Sequence, residues 1–287
     1  MDFHYYFLKE GTRVYEKTEL MTYLRDTPNI QYDENGDGKG NFIFKYHHEV
    51  LNFDARFIMS QTSQVPNLDR LDPKYFDINF YVEFDVTLSN YAVEILLDII
   101  EEICKKFRFL IYVYPPAAVY SFRRPDLIKY FGAVKKAYAD RYPEKLANYN
   151  RLDSQTLSQV CSYLQKRKKL ELSLRDQNIV VSNYIFLKTE KSRTAYVAIE
   201  WDGEEQFIVP PSVEIIKLDD GKVSRYIPFN QVYEKAEKMF RAIDGFGAIK
   251  IVDSKYTKKL HKLLVKEHFP APKTNFSRLS LEQILDI

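Results

Sequence analysis

The sequence predicts an α+β fold: two mixed α/β domains with antiparallel-rich sheets covered by helices, joined by a helical middle segment. Three features point there. FDINFYVEFDV (76–86) alternates so that Phe76, Ile78, Phe80, Val82, Phe84 and Val86 share one face, the period-two signature of a half-buried strand. Directly after it, Ala92, Ile95, Leu96, Ile99, Ile100, Ile103, Cys104 and Phe107 recur at helical spacing, and Ser89 is placed to cap that helix. Beyond residue 172 a second set of β signals begins, too far along the chain to be a simple extension of one core.

In chain order, FHYYFL (3–8) opens as a strand, and a short helix at 18–26 ends before Pro28. NFIFKY and FDARFIM alternate, with Phe42, Phe44 and Tyr46 on one face of the first and Phe53, Ala55, Phe57 and Met59 on one face of the second. RFLIYVY closes the first domain (1–116) at Pro115 and Pro116, giving the order β-α-β-β-β-α-β. Residues 117–172 read as a helical connector, with Asp153 or Ser154 as a cap. In the second domain (173–269), NIVVSNYIFLK, TAYVAIEW, EQFIVP and VEIIKL read as strands, and the DG of WDGE as a turn between apolar runs. A helix (229–243), the strand AIKIV and a basic helix, DSKYTKKLHKLLVKEHF, complete it. The tail (270–287) carries Phe276, Leu279, Leu281, Ile284, Leu285 and Ile287, apolar residues that must bury, either on the tail's own second domain or in another protein's groove.

Composition narrows the function. The chain of 287 residues has 42 Lys plus Arg against 40 Asp plus Glu, a net charge of +2, so only local patches can attract nucleic acid or an anionic surface. Nine glycines, with no phosphate-loop or dinucleotide fingerprint, argue against nucleotide cradles. Two cysteines cannot build a disulfide framework or a four-thiolate zinc site, which suits a reducing compartment. The first residues carry no basic flank before an apolar run, and no stretch reaches the roughly 18 apolar residues of a membrane span. The expectation is a cytoplasmic protein with no membrane association.

YDENGDGKGNF (32–42) places Asp33, Asn35, Asp37 and Gly38 as in the first half of a calcium loop. The twelfth position, where a bidentate Glu belongs, is Phe44, so the reading is a turn. His47 and His48 are adjacent on a strand and face opposite ways; His261 and His268 are seven apart on one helix, not the four of helical zinc ligands. No Gly-x-Ser-x-Gly elbow occurs. Cys104 lies on the apolar helix stripe, Cys161 near Lys166 and Arg167, and both read as structural thiols. No metal, cofactor or catalytic residue is expected.

What remains is binding. Tyr120, Phe122, Arg123 and Arg124 combine aromatic and guanidinium anchors of the kind that dominate protein interfaces. Lys255, Lys258, Lys259, Lys262 and Lys266 form an alternative basic surface, and KRKK (166–169) a lesser one. The expectation is a non-catalytic binding or regulatory protein acting through protein-protein contacts. The alternatives are a nucleic-acid-binding protein using the basic helix and the Arg-aromatic segment, and an enzyme with an interdomain site.

Overall fold

The structure, a computed structural model, describes residues 1–11, 15–190, 192–219, 221, 224–243, 248–267, 269 and 275–287. The chain divides into two compact units, Met1–Glu144 and Lys145–Ile287.

The first unit is one antiparallel sheet with helices on one face. Its strands are β1 (Asp2–Glu10), β2 (Ile30–Tyr32), β3 (Phe42–His48), β4 (Phe53–Met59), β5 (Tyr75–Asp85), β6 (Leu110–Val113) and β7 (Ala118–Tyr120), arranged β2-β3-β4-β5-β1-β6-β7. Its helices are α1 (Lys17–Asp26), α2 (Asn90–Phe107) and α3 (Arg124–Arg141). Phe3, Tyr5, Phe7, Phe57, Phe80 and Phe84 are buried, with Phe7 and Phe80 stacked at 4.6 Å and Phe3 edge-on to Phe131 of α3 at 5.1 Å. On the opposite face Tyr6, Leu8 and Tyr112 pack with Val65, and the Tyr112 hydroxyl donates to the Pro66 carbonyl at 2.7 Å. Covered on both faces, β1 is buried almost continuously.

Two patterns read from the sequence shift in detail. Phe76 is 47% exposed. The β1–β5 ladder breaks between Phe7 and Leu8, and Asn79 takes a left-handed φ of 55°, a bulge that bends β5 so that its start leaves the core. On α2 the buried residues are Ala92, Val93, Leu96, Leu97, Ile100, Ile103, Cys104 and Phe107, with Ile95 and Ile99 only partly covered. The stripe is rotated toward Val93 and Leu97 relative to the one read from spacing, because α2 meets α3 as well as the sheet. Ser89 caps α2 as expected, its hydroxyl accepting from the Ala92 N–H at 3.1 Å.

In the second unit β8 (Asn150–Arg151) precedes α4 (Ser154–Leu174), capped by Asp153, whose carboxylate accepts from the Thr156 N–H at 2.9 Å. Then come β9 (Ile179–Val180), β10 (Tyr184–Thr189), β11 (Tyr196–Trp201), β12 (Gln206–Val209), β13 (Ile215–Asp219), β14 (Ser224–Pro228), α5 (Phe229–Ala236), β15 (Phe240–Ala242), β16 (Lys250–Val252), α6 (Thr257–Lys266), β17 (Phe276–Leu279) and β18 (Ile284–Leu285). One sheet runs β14-β13-β11-β10-β17, another β15-β16-β12-β9, and β18 pairs with β8. The DG turn after β11 does not close a hairpin: β12 joins the other sheet, and β11 pairs with β10 and, in parallel, β13. Gly203 in that turn has φ +88°, and a Cβ there would meet His261 of α6 at 2.4 Å, so the turn is fixed by α6 and not by strand pairing. The helix expected over 229–243 stops at Ala236, and Phe240–Ala242 becomes a strand. The tail docks on its own unit, adding β17 to β10 and β18 to β8 and burying Leu279, Ile284 and Leu285. His268, the PAPK breaker and part of the DDG turn lie outside the described residues.

Candidate binding surfaces

The Arg-aromatic segment runs from the edge strand β7 into α3. Arg123 is the N-cap residue of α3, with no side-chain cap bond; its side chain is 73% exposed and pairs with Asp126 at 3.3 Å. Arg124 behaves differently. One nitrogen reaches both Asp98 and Glu101 of α2 at 2.7 Å, another donates to the Glu94 carbonyl at 3.1 Å, and the guanidinium lies 6.0 Å from the Phe122 ring centre. Arg124, with Lys105, holds the Glu101 carboxyl below its ordinary range. The structure therefore brings Phe122 and Arg124 together, spends Arg124 on joining α3 to α2, and leaves Tyr120 half-buried.

The lysine surface is arranged otherwise. At 3.6 residues per turn, Lys258, Lys259, Lys262 and Lys266 fall within an arc of about 100°. All four are exposed, while Thr257, Leu260 and Leu264 are buried on the opposite side. Among the described residues none of the four has a carboxylate within ion-pair reach; Lys255, in the preceding 3-10 turn, pairs with Asp253 at 3.8 Å. The turn bearing Asp202 and Glu204 reaches the helix at His261, and its carboxylates stay out of ion-pair range of the lysines. Arg225 caps the far end, donating to the Val265 carbonyl at 2.7 Å. On α4, Lys166, Lys168 and Lys169 are exposed and Arg167 pairs with Glu171 at 2.7 Å.

The second unit also has two adjoining depressions that the sequence reading missed. One, of about 500 Å³, is lined by Tyr196, Glu214, Phe229, Tyr233 and Lys250 among others. The next, of about 480 Å³, shares Val213 and Glu214 and includes Arg151 and Thr156. Glu214 accepts from the Val197 N–H at 3.0 Å. Although the residue as a whole is exposed, burial of its carboxyl end pushes its pKa above the ordinary range, and Asp153 adds to the effect. Lys250 lies 3.5 Å from the Tyr233 ring centre. No sequence signal joins Glu214 at the start of VEIIKL to Lys250 in AIKIV; strand pairing and α5 do.

The loop between β2 and β3 spends its acids locally. Asp33 accepts from the Asn35 N–H and pairs with Lys45 at 2.8 Å, while Asp37 accepts from the Lys39 N–H and the Asn41 side chain. Among the described residues no three His, Cys, Asp or Glu side chains converge as a metal site would, and no helix is long and apolar enough to cross a membrane. His47 pairs with Asp54 at 2.8 Å, and His48 stacks on Phe53. Both cysteines are buried, and burial pushes the Cys104 thiol up to about 12. Native protein at pH 8 is therefore expected to leave Cys104 unreacted with Ellman's reagent until denaturant is added. Prompt labelling of Cys104 in the folded protein would contradict that. No family model matches the chain, and neither the curated proteins nor the solved structures include a significant match to it.

Proposed function

We propose that the chain is a nucleic-acid-binding protein that grips the phosphate backbone with the lysine face of α6. The supporting observation is that Lys258, Lys259, Lys262 and Lys266 share one exposed arc with no carboxylate partner among the described residues. Protein interfaces are depleted of lysine and anchored by aromatic residues and arginine, and this arc has neither. Phosphate contacts need only point charges in a row, at some cost in sequence selectivity. The Arg-aromatic segment, expected to serve a protein partner, is the weaker candidate because the charge of Arg124 is already met by Asp98 and Glu101.

Neutralising four phosphates predicts a loss of about 50- to 150-fold in affinity between 50 and 200 mM salt. Fluorescence anisotropy with a labelled RNA strand and a DNA duplex measures it directly. Changing all four lysines to Gln should remove the binding while leaving far-UV circular dichroism intact. Absence of binding at low salt, or a variant with the parent's affinity and salt slope, defeats the proposal.

A further inference from the structure

We propose that the 500 Å³ depression of the second unit is a binding site for a small zwitterion with an apolar body, its carboxylate on Lys250 and its ammonium on Glu214. The inference does not depend on the lysine face of α6.

Three observations carry it. Glu214 and Lys250 line the same space, yet they are not within ion-pair distance of each other, and among the described residues neither has another partner of opposite charge. Each charge is held in place from behind: the Glu214 carboxylate by the Val197 N–H, and the Lys250 ammonium by the Tyr233 ring at 3.5 Å with the Phe229 ring at 5.9 Å. Apart from Asn230, the rest of the lining is apolar or aromatic, with Val213, Ile215, Pro228 and Tyr196, the usual make-up of a pocket that buries a ligand's body and orients it by a few polar groups.

The second unit gives the site a stiff frame. Phe229, the first residue of α5, donates its N–H to the Glu214 carbonyl at 2.7 Å, and the Glu214 N–H donates to the Val197 carbonyl at 2.8 Å. Ser212, two residues before Glu214, holds a left-handed φ of 60° and hydrogen-bonds Gln159 of α4, a conformation that persists only where its surroundings impose it. Burial that disfavours an ionised Glu214 makes a cation supplied by a ligand the group best able to offset it. A ligand with one charge alone would meet only one of the two protein charges, and its body would strip water from the other without replacing it. The cavity is large enough for an amino acid with an aromatic side chain, and a dipeptide such as glycyl-phenylalanine carries the same two charges further apart.

Isothermal titration calorimetry tests this with L-phenylalanine, L-leucine and glycyl-phenylalanine as zwitterions. N-acetyl-L-phenylalanine lacks the ammonium and L-phenylalaninamide lacks the carboxylate. At least one zwitterion should bind saturably with Kd below about 1 mM, and its single-charge analogues about tenfold more weakly or worse. Glu214→Gln keeps an acceptor for the Val197 N–H and should erase the penalty for the acetylated analogue. Lys250→Met keeps the stem on the Tyr233 ring and should erase the penalty for the amide. Failure of all three zwitterions to saturate by about 10 mM, analogues that bind equally well, or variants that bind as the parent does would each overturn the assignment.

Discussion

Replacing Ile100 with Asp is expected to cost the first unit about 4 kcal/mol, whereas the same change at its neighbour Ile99 should cost about 1 kcal/mol. Ile100 is fully buried, mid-way along α2, and a carboxyl placed there must either lose its hydration without a partner or take up a proton. Ile99 is only partly covered, so an Asp at that position can turn toward water. Urea denaturation followed by far-UV circular dichroism compares the two. Fluorescence of Trp201, the only tryptophan, reports on the second unit separately. Equal losses at the two positions would mean that the buried face of α2 is not the one described.

Reversing the charge of Lys135 is expected to be nearly as damaging, at about 3–5 kcal/mol. Lys135 is buried in the middle of α3, where its ammonium donates to the Leu88 carbonyl at 3.1 Å and the Asn90 side-chain oxygen at 2.8 Å and lies 4.9 Å from the Phe131 ring centre. It thereby ties α3 to the turn that starts α2. Lys135→Glu would set a carboxylate against two oxygen acceptors with no water to screen it. Lys135→Met keeps the aliphatic stem and forfeits the hydrogen bonds, leaving the Leu88 carbonyl short of a donor for about 1–3 kcal/mol. Chemical denaturation of both variants decides the matter. If the Glu variant is no less stable than the Met variant, the ammonium is not held as described.

Both expectations show where sequence reading reaches its limit. Alternation in β3 and β4, the Ser89 and Asp153 caps, the turn at 33–41 and the apolar demand of the tail were legible because each depends on residues two to four apart, or on the need of apolar surface to leave water. Lys135 looks like any helix-surface lysine in GAVKKAY, and only its position beside Leu88 and Asn90 buries it. Arg123 and Arg124 are indistinguishable as neighbours in the chain. One faces solvent and the other bridges α3 to α2, because Arg123 is the N-cap residue with extended backbone (φ −139°, ψ 97°) while Arg124 is the first residue of the helix, so their side chains leave in different directions.

The rotated stripe of α2 has the same origin: spacing fixes that a helix has an apolar side, but the neighbour that covers it selects the centre of that side. The DG turn after β11 misled because turn chemistry specifies a reversal and not a pairing partner, and α6 supplies the contact at Gly203. By itself, then, the sequence determined the α+β class, most strands and helices, and which helix is basic. Tertiary structure alone decided which charges are already spent, as with Arg124, and which are left to face a cavity together, as with Glu214 and Lys250. The partner of a charge is set by long-range packing, and no local pattern encodes it.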